Sequence, residues 1–170
     1  MARIAFAGDA RIQVSTLDAP LPDHSPNYTV ETVLRLKQSL ARGDQILCLL
    51  GADSWLTIGK WYRASELLMA CGFIVGARPG FELTHAAAAL PEEVSAVEVP
   101  SEHPGVLLLI LRNSTGHQSP LYLLTDLAED VSATAVRSAL SGHPEIDPDS
   151  VLDPEVARYI HQRRLYSTDI

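Results

Sequence analysis

The chain has 170 residues, enough for one domain with a full core, and its 46% hydrophobic and 20% charged residues are an ordinary soluble composition. A formal charge of -8 with only two lysines, Lys37 and Lys60, argues against a general nucleic-acid surface, which needs a basic excess. A small anionic ligand would need local cations, and Lys60, Arg63, Arg78 and Arg137 are the candidates.

In chain order, residues 2–8 read as a short helix with Gly8 at its stop and nothing capping its start. Such a turn has little reason to form alone, because helix nucleation is unfavourable. Residues 11–17 alternate and read as a strand. Pro20, Pro22 and Pro26 then mark an irregular loop. Thr29 reads as the N-cap of a helix with Glu31 in its first turn, an apolar stripe of Val30, Val33, Leu34 and Leu40, and Gly43 as its stop. The run Ile46-Leu47-Cys48-Leu49-Leu50 has the composition of a strand buried on both faces. A short helix over 64–70 and a strand over 73–77 follow, then an Ala-rich helical stretch within 81–93. Strands are expected at 94–99, 106–111 and 121–124. A helix opens near Ser132, and Asp153-Pro154-Glu155 spells a last helix start, with Asp as cap and Pro in the first turn. Its buried face is expected to be Val156, Tyr159 and Ile160. Strands alternating with helices predict a single Rossmann-like α/β domain over 1–170, with a mostly parallel sheet.

Cys48 and Cys71 lie in apolar surroundings and read as buried free thiols in a reducing compartment. Two scattered cysteines and no paired histidines argue against zinc. The six histidines form no pair at ligand or catalytic spacing. The N-terminus lacks the apolar segment of a signal peptide, and the longest apolar run, 106–111, is too short to span a bilayer.

Three places could carry chemistry. Gly51-Ala52-Asp53-Ser54 directly follows a strand, where an open α/β sheet lines its ligand crevice. Lys60-Trp61-Tyr62-Arg63 sets two aromatic faces between two cations, which suits an aromatic, phosphorylated ligand. The helix mouth at Ser132, with the hydroxyl of Thr134 and with Arg137 three residues further on the same face, reads as a phosphate cradle. Thr29 and the helix behind it could hold a carboxylate, and Arg78 follows a strand end. Each has a plain structural alternative: a core Trp beside a surface Tyr, a capped helix with a surface Arg, an ordinary N-cap, an Arg in a turn.

These segments together, in this order, resemble one family, the bacterial nicotinate-nucleotide adenylyltransferases. The family's S-Y-T-x-x-T region is matched within Ser25 to Thr32, its G-x-D-S by Gly51 to Ser54, and its K-W-Y-R by Lys60 to Arg63. Its R-P-G is matched by Arg78 to Gly80 and its I-S-S-T-x-I-R by Val131 to Arg137, with Ala133 replacing one Ser. The closing stretch from Pro154 to Ile160 and Leu165-Tyr166 also looks familial. The resemblance implies a Rossmann-like nucleotidyltransferase fold and transfer of AMP from ATP to nicotinate mononucleotide in cytoplasmic NAD biosynthesis, with Mg²⁺ on the ATP phosphates. It implies that Trp61 stacks on the nicotinate ring with Tyr62 beside it, and that Tyr28 and Thr29 hold the nicotinate end. It further implies that Arg78 lies near the mononucleotide, that Gly51 and Asp53 contact nucleotide, and that Ser132, Thr134 and Arg137 receive the ATP phosphates. The family's opening G-T-F-D-P-x-H-x-G-H is not found here, so no catalytic residue is assigned in this chain. The expectation is therefore of a chain that starts late, lacking the family's first strand and helix, with an apolar edge left at 46–50. The alternatives are a binding module for nicotinate mononucleotide without catalysis, or a nucleotidyltransferase with another acceptor such as phosphopantetheine.

Overall fold

The computed structural model describes residues 1–76, 83–127, 133–142 and 147–166. In chain order its elements are helices α1 (Ala2–Ala5) and α2 (Thr29–Ser39), strand β1 (Leu47–Gly51), α3 (Ala52–Trp55), a 3₁₀ turn (Ile58–Lys60), α4 (Ala64–Ala70), β2 (Gly72–Gly76), α5 (Leu83–Ala88), β3 (Val94–Val99), β4 (Val106–Asn113), β5 (Gln118–Leu124), α6 (Ala133–Leu140), α7 (Pro148–Val151) and α8 (Pro154–Arg163). They fall into two compact units, Leu17–Glu129 and a smaller one made of Met1–Thr16 with Asp130–Ile170.

The larger unit holds a five-stranded sheet in the order β1-β2-β5-β4-β3. β1 pairs with β2 and β2 with β5 in parallel; β5 with β4 and β4 with β3 are antiparallel. Only β4 therefore runs against the rest, and the expected Rossmann-like, mostly parallel sheet flanked by helices is what forms. Phe73 and Val75 on β2, Leu109 and Leu111 on β4, and Leu121 and Leu123 on β5 are buried two residues apart, as the strand period requires. Val30 and Val33 of α2, Leu67 and Leu68 of α4, Trp55 and Ile58 join them in one cluster. Each fully buried apolar side chain contributes about 1.5–3 kcal/mol relative to exposure.

Three expectations fail here. The run at 46–50 is not buried on both faces but forms the apolar edge that the resemblance led one to expect: β1 is an edge strand, and Leu49 is 72% exposed. Thr29 is not the N-cap of α2 but its first helical residue; Tyr28 takes the cap position, with extended backbone and no side-chain capping bond. The helix also stops before Gly43, since Leu40 is already extended. The Ser39 hydroxyl donates back to the Leu36 carbonyl at 2.7 Å, and the Asp44 carboxylate accepts from the Ala41 N–H, so local side chains satisfy the end.

Residues 11–17 form no strand. A strand exists only with a neighbouring strand to pair with, and the sheet among the described residues does not include this stretch. Arg11 instead folds onto Asp9 through two guanidinium bonds of 2.9 and 2.6 Å. α8 begins as the sequence spells it: the Asp153 carboxylate accepts from the Glu155 and Val156 N–H groups, with Pro154 in the first turn. Its buried residues are Val156, Ala157 and Ile160, with Tyr159 only half-buried. Asp147-Pro148 repeats the device at α7. α1 packs against α8.

Candidate functional site

The site-bearing segment leaves the carboxyl end of β1. Gly51, in extended backbone, ends the strand and caps α3, and Asp53 stands exposed in the first turn of that helix. Trp55 then turns into the core. It is fully buried, its Nε1–H donates to the Ala86 carbonyl at 3.0 Å, and it meets Phe73 edge-on at 5.4 Å. The next turn lies tight on the chain below. Gly59 N–H donates to the Ala89 carbonyl, and a Cβ at Gly59 would come within 2.6 Å of that oxygen, so only glycine allows the approach. This anchored turn delivers Lys60, Trp61 and Tyr62.

Trp61 is half-buried against the core cluster, and its Nε1–H donates to Thr57 Oγ1 at 3.2 Å. Tyr62 projects outward and stacks on Tyr28, with ring centroids 4.1 Å apart and planes 29° apart. Arg63 adopts left-handed backbone at φ 53 as the cap of α4, and its guanidinium makes two 2.7 Å bonds to Glu66. That carboxylate keeps the Arg63 pKa above its ordinary value. Arg63 is thus already engaged by a neighbouring carboxylate, although its carbon Cζ also lies 5.9 Å from the Tyr62 ring centre.

Tyr28 is positioned from the other side by its neighbour Asn27. Asn27 Nδ2 donates to Asp18 at 3.0 Å, and Arg35 on α2 donates to Asn27 Oδ1 at 3.1 Å. Thr32 donates to the same Asp18 carboxylate at 2.8 Å. The proline-rich loop is thereby tied to the first turns of α2.

Asn27, Tyr28, Thr29, Trp61, Tyr62 and Leu67 line one cavity of about 250 Å³. Drug-sized ligands occupy about 300–1,000 Å³, so this volume suits one flat ring rather than a dinucleotide. Its walls are aromatic, and the α2 N-terminus beside Thr29 offers free N–H groups to an anion. A larger cavity of about 540 Å³ lies in the smaller unit, lined by groups that include Asp149, His161 and Arg164. It has no aromatic wall; its nearest approach to chemistry is an exposed His161–Asp149 contact of 3.4 Å, a pairing the sequence spacing did not suggest.

Four of the expected site residues, Tyr28, Thr29, Trp61 and Tyr62, therefore come together. Gly51 and Asp53 sit in the same unit at the β1–α3 junction and do not line that cavity. Thr134 and Arg137 lie on α6 of the smaller unit, both exposed, with Arg137 Nη2 3.5 Å from Thr134 Oγ1, as shared-face spacing requires. Arg78 and Ser132 lie outside the described residues. Asn27, which stands in the Asn27-Tyr28-Thr29 segment read as able to bind, also lines the cavity, whereas sequence reasoning missed Leu67 and Thr57. Thr57 stands four residues before Trp61, a spacing that could have suggested the contact, whereas only burial reveals Leu67. Among the described residues no group of three His, Cys, Asp or Glu side chains could hold a metal.

A Rossmann-like sheet with an aromatic, helix-mouthed cavity is consistent with the nucleotidyltransferase fold class. Comparison with models of known protein families gives no match. Similarity to individual proteins is extensive. The chain is 32% identical over 172 residues to the probable nicotinate-nucleotide adenylyltransferase of Geobacter sulfurreducens, covering 99% of this chain and 73% of that protein. It is 33% identical over 168 residues to the enzyme of the same description from Gloeobacter violaceus, covering 98% and 68%. Against that of Chromobacterium violaceum it is 31% identical over 166 residues, covering 98% and 72%. The chain belongs to the nicotinate-nucleotide adenylyltransferase family.

Proposed function

We propose that the chain, acting as one nucleotidyltransferase domain, transfers AMP from ATP to nicotinate mononucleotide in cytoplasmic NAD biosynthesis, giving deamido-NAD and pyrophosphate. The observation that supports this best is the meeting of Tyr28, Thr29, Trp61 and Tyr62 around a single-ring cavity at the mouth of α2. Trp61 stacks on the pyridine ring, with Tyr62 and Tyr28 closing over it. The Thr29 hydroxyl and the first N–H groups of α2 take the carboxylate, a charge-assisted arrangement that favours the acid over the amide. Arg78 reaches the mononucleotide. Gly51 and Asp53 contact the nucleotide at the strand tip, and Ser132, Thr134 and Arg137 receive the ATP phosphates.

A phosphate oxygen of the mononucleotide forms the new bond to the α-phosphorus of ATP, while the bond from that phosphorus to the departing pyrophosphate breaks. The protein's part is to position the two phosphates and spread the charge. Mg²⁺ enters with the substrate as MgATP, where it offsets the charge of the phosphates. No described helix is long and apolar enough to cross a membrane.

The test is to supply the purified chain with MgATP and nicotinate mononucleotide and to follow pyrophosphate release and deamido-NAD. Both products are expected, with nicotinamide mononucleotide a poorer acceptor. Binding of the mononucleotide without pyrophosphate would overturn the transfer reaction, and absence of binding would overturn the site itself.

A further inference from the structure

The sequence has two cysteines, and the fold brings them together. Cys48 is on β1; Cys71 follows α4 and immediately precedes β2. The parallel register sets Leu47 opposite Gly72 and Cys48 opposite Phe73, so Cys71 is two residues back along the chain from the residue facing Cys48. Two residues is one strand period, which returns a side chain to the same face. The corner is close-packed because residue 72 is glycine: a Cβ there would meet Leu47 Cδ2 at 2.7 Å and Pro120 Cγ at 2.8 Å. The Cys71 backbone is extended, and its thiol donates to Cys48 Sγ across 3.7 Å. Forming an S–S bond of about 2.05 Å requires the two sulfurs to close from that 3.7 Å separation.

The two thiols differ in the way a dithiol pair needs. Cys48 is half-buried and Cys71 buried, so a solute meets Cys48 first. The hydrogen bond from Cys71 favours the Cys48 thiolate and draws its pKa down to about 7. Cys71, as the donor of that bond and in a buried place, is held protonated. Thiolate character and access together decide which cysteine an oxidant attacks.

We propose that Cys48 and Cys71 are a peroxide-sensitive dithiol that closes into an intramolecular disulfide. Cys48 thiolate attacks one oxygen of a hydroperoxide; the O–O bond breaks, water leaves after protonation, and Cys48 becomes a sulfenic acid. Cys71 sulfur then attacks the Cys48 sulfur. The S–O bond breaks, a second water leaves with the Cys71 proton, and the S–S bond remains. Two thiols are oxidised by two electrons and one hydrogen peroxide is reduced to two waters. The bridge joins β1 to the end of α4, the helix whose Leu67 lines the aromatic cavity and whose carbonyl at Leu67 lies 3.7 Å from Cys71 Sγ. With no third cysteine in the sequence, no other disulfide can form within the chain.

The test is intact-mass spectrometry of the folded chain after hydrogen peroxide, without reductant. The expected result is a monomer lighter by about 2 Da, reversed by dithiothreitol, with one digest peptide linking Cys48 to Cys71. In Cys71→Ser, Cys48 should stop at a sulfenic acid, heavier by about 16 Da and trapped by dimedone. In Cys48→Ser, Cys71 should stay unmodified at the same dose. Oxygen addition to the wild type without loss of hydrogen, a disulfide-linked dimer, or no reaction would each overturn the proposal. So would a bridge that forms only in urea, since folded geometry would then not be its cause. The wild-type readout stands even if a serine variant fails to fold.

Discussion

Replacing Trp61 by alanine separates a ligand platform from an ordinary core aromatic. The indole is half-buried, and its Nε1–H is already fixed to Thr57 at 3.2 Å, so the ring is oriented before any ligand arrives. Loss of one aromatic stacking partner costs about 1–3 kcal/mol of ligand affinity. At about 1.4 kcal/mol per tenfold, nicotinate mononucleotide should bind roughly 5- to 150-fold more weakly. The same change removes packing from the core cluster, to which Trp61 is joined. A fully buried Trp→Ala costs about 3–5 kcal/mol of stability, and a half-buried one should lose roughly half of that. Trp61→Phe keeps a stacking face and gives up only the N–H bond, worth about 1 kcal/mol, so its affinity should fall by less than tenfold. Isothermal titration of the mononucleotide measures affinity without ATP, and urea unfolding measures stability. A folded Trp61→Ala protein that binds with wild-type affinity would refute the stacking role outright. A KM for ATP that rises as much as that for the mononucleotide would contradict its placement at the pyridine end.

Three further outcomes are expected. Arg137→Ala should raise the KM for ATP more than that for nicotinate mononucleotide in steady-state assays; equal effects would remove it from the phosphate site. Trp55→Phe should lower stability by about 1–3 kcal/mol, because the buried Ala86 carbonyl loses its only indole donor, and an unchanged urea midpoint would show that the bond is energetically idle. Cys48 alkylation should quicken as pH rises through about 7, since the depressed pKa makes the reactive thiolate available above that point and scarce below it. In Cys71→Ala that midpoint should move upward, because the hydrogen bond that lowers it is gone; a fixed midpoint would contradict the cause.

What the residues disclosed in advance were the features whose physics is local. Asp153-Pro154 dictates a helix start through one carboxylate and one fixed φ, and α8 begins there. The β-branched and Leu-rich runs at 94–99 and 106–111 became strands, the second continuing to Asn113, because composition and length left few alternatives. Residues 11–17 show the limit, for alternation describes side chains but cannot supply a pairing partner. β1 shows another: an apolar run says what would tolerate burial, not where in the sheet it will lie. Trp61, singled out in advance by its flanking cations, lines the cavity, whereas Trp55, assigned no role from the sequence, went into the core. Arg63 counted as an available cation until the left-handed backbone turned it onto Glu66. The Asp18, Asn27, Thr32 and Arg35 set that steadies Tyr28 was illegible for the same reason: its members meet only after the loop has folded back.

The single reversed strand gives the sheet a working edge and a maintenance edge. β1, β2 and β5 all finish on one side, while the β4–β5 turn, where Asn113 Oδ1 accepts from the Thr115 and His117 N–H groups and Gly116 sits at φ 84, closes on the other. A tether, fluorophore or short insertion between Thr115 and Gly116 would hang from the far end of β5 from its finishing tip. That makes this hairpin the natural handle for immobilising the protein with its aromatic mouth left unobstructed.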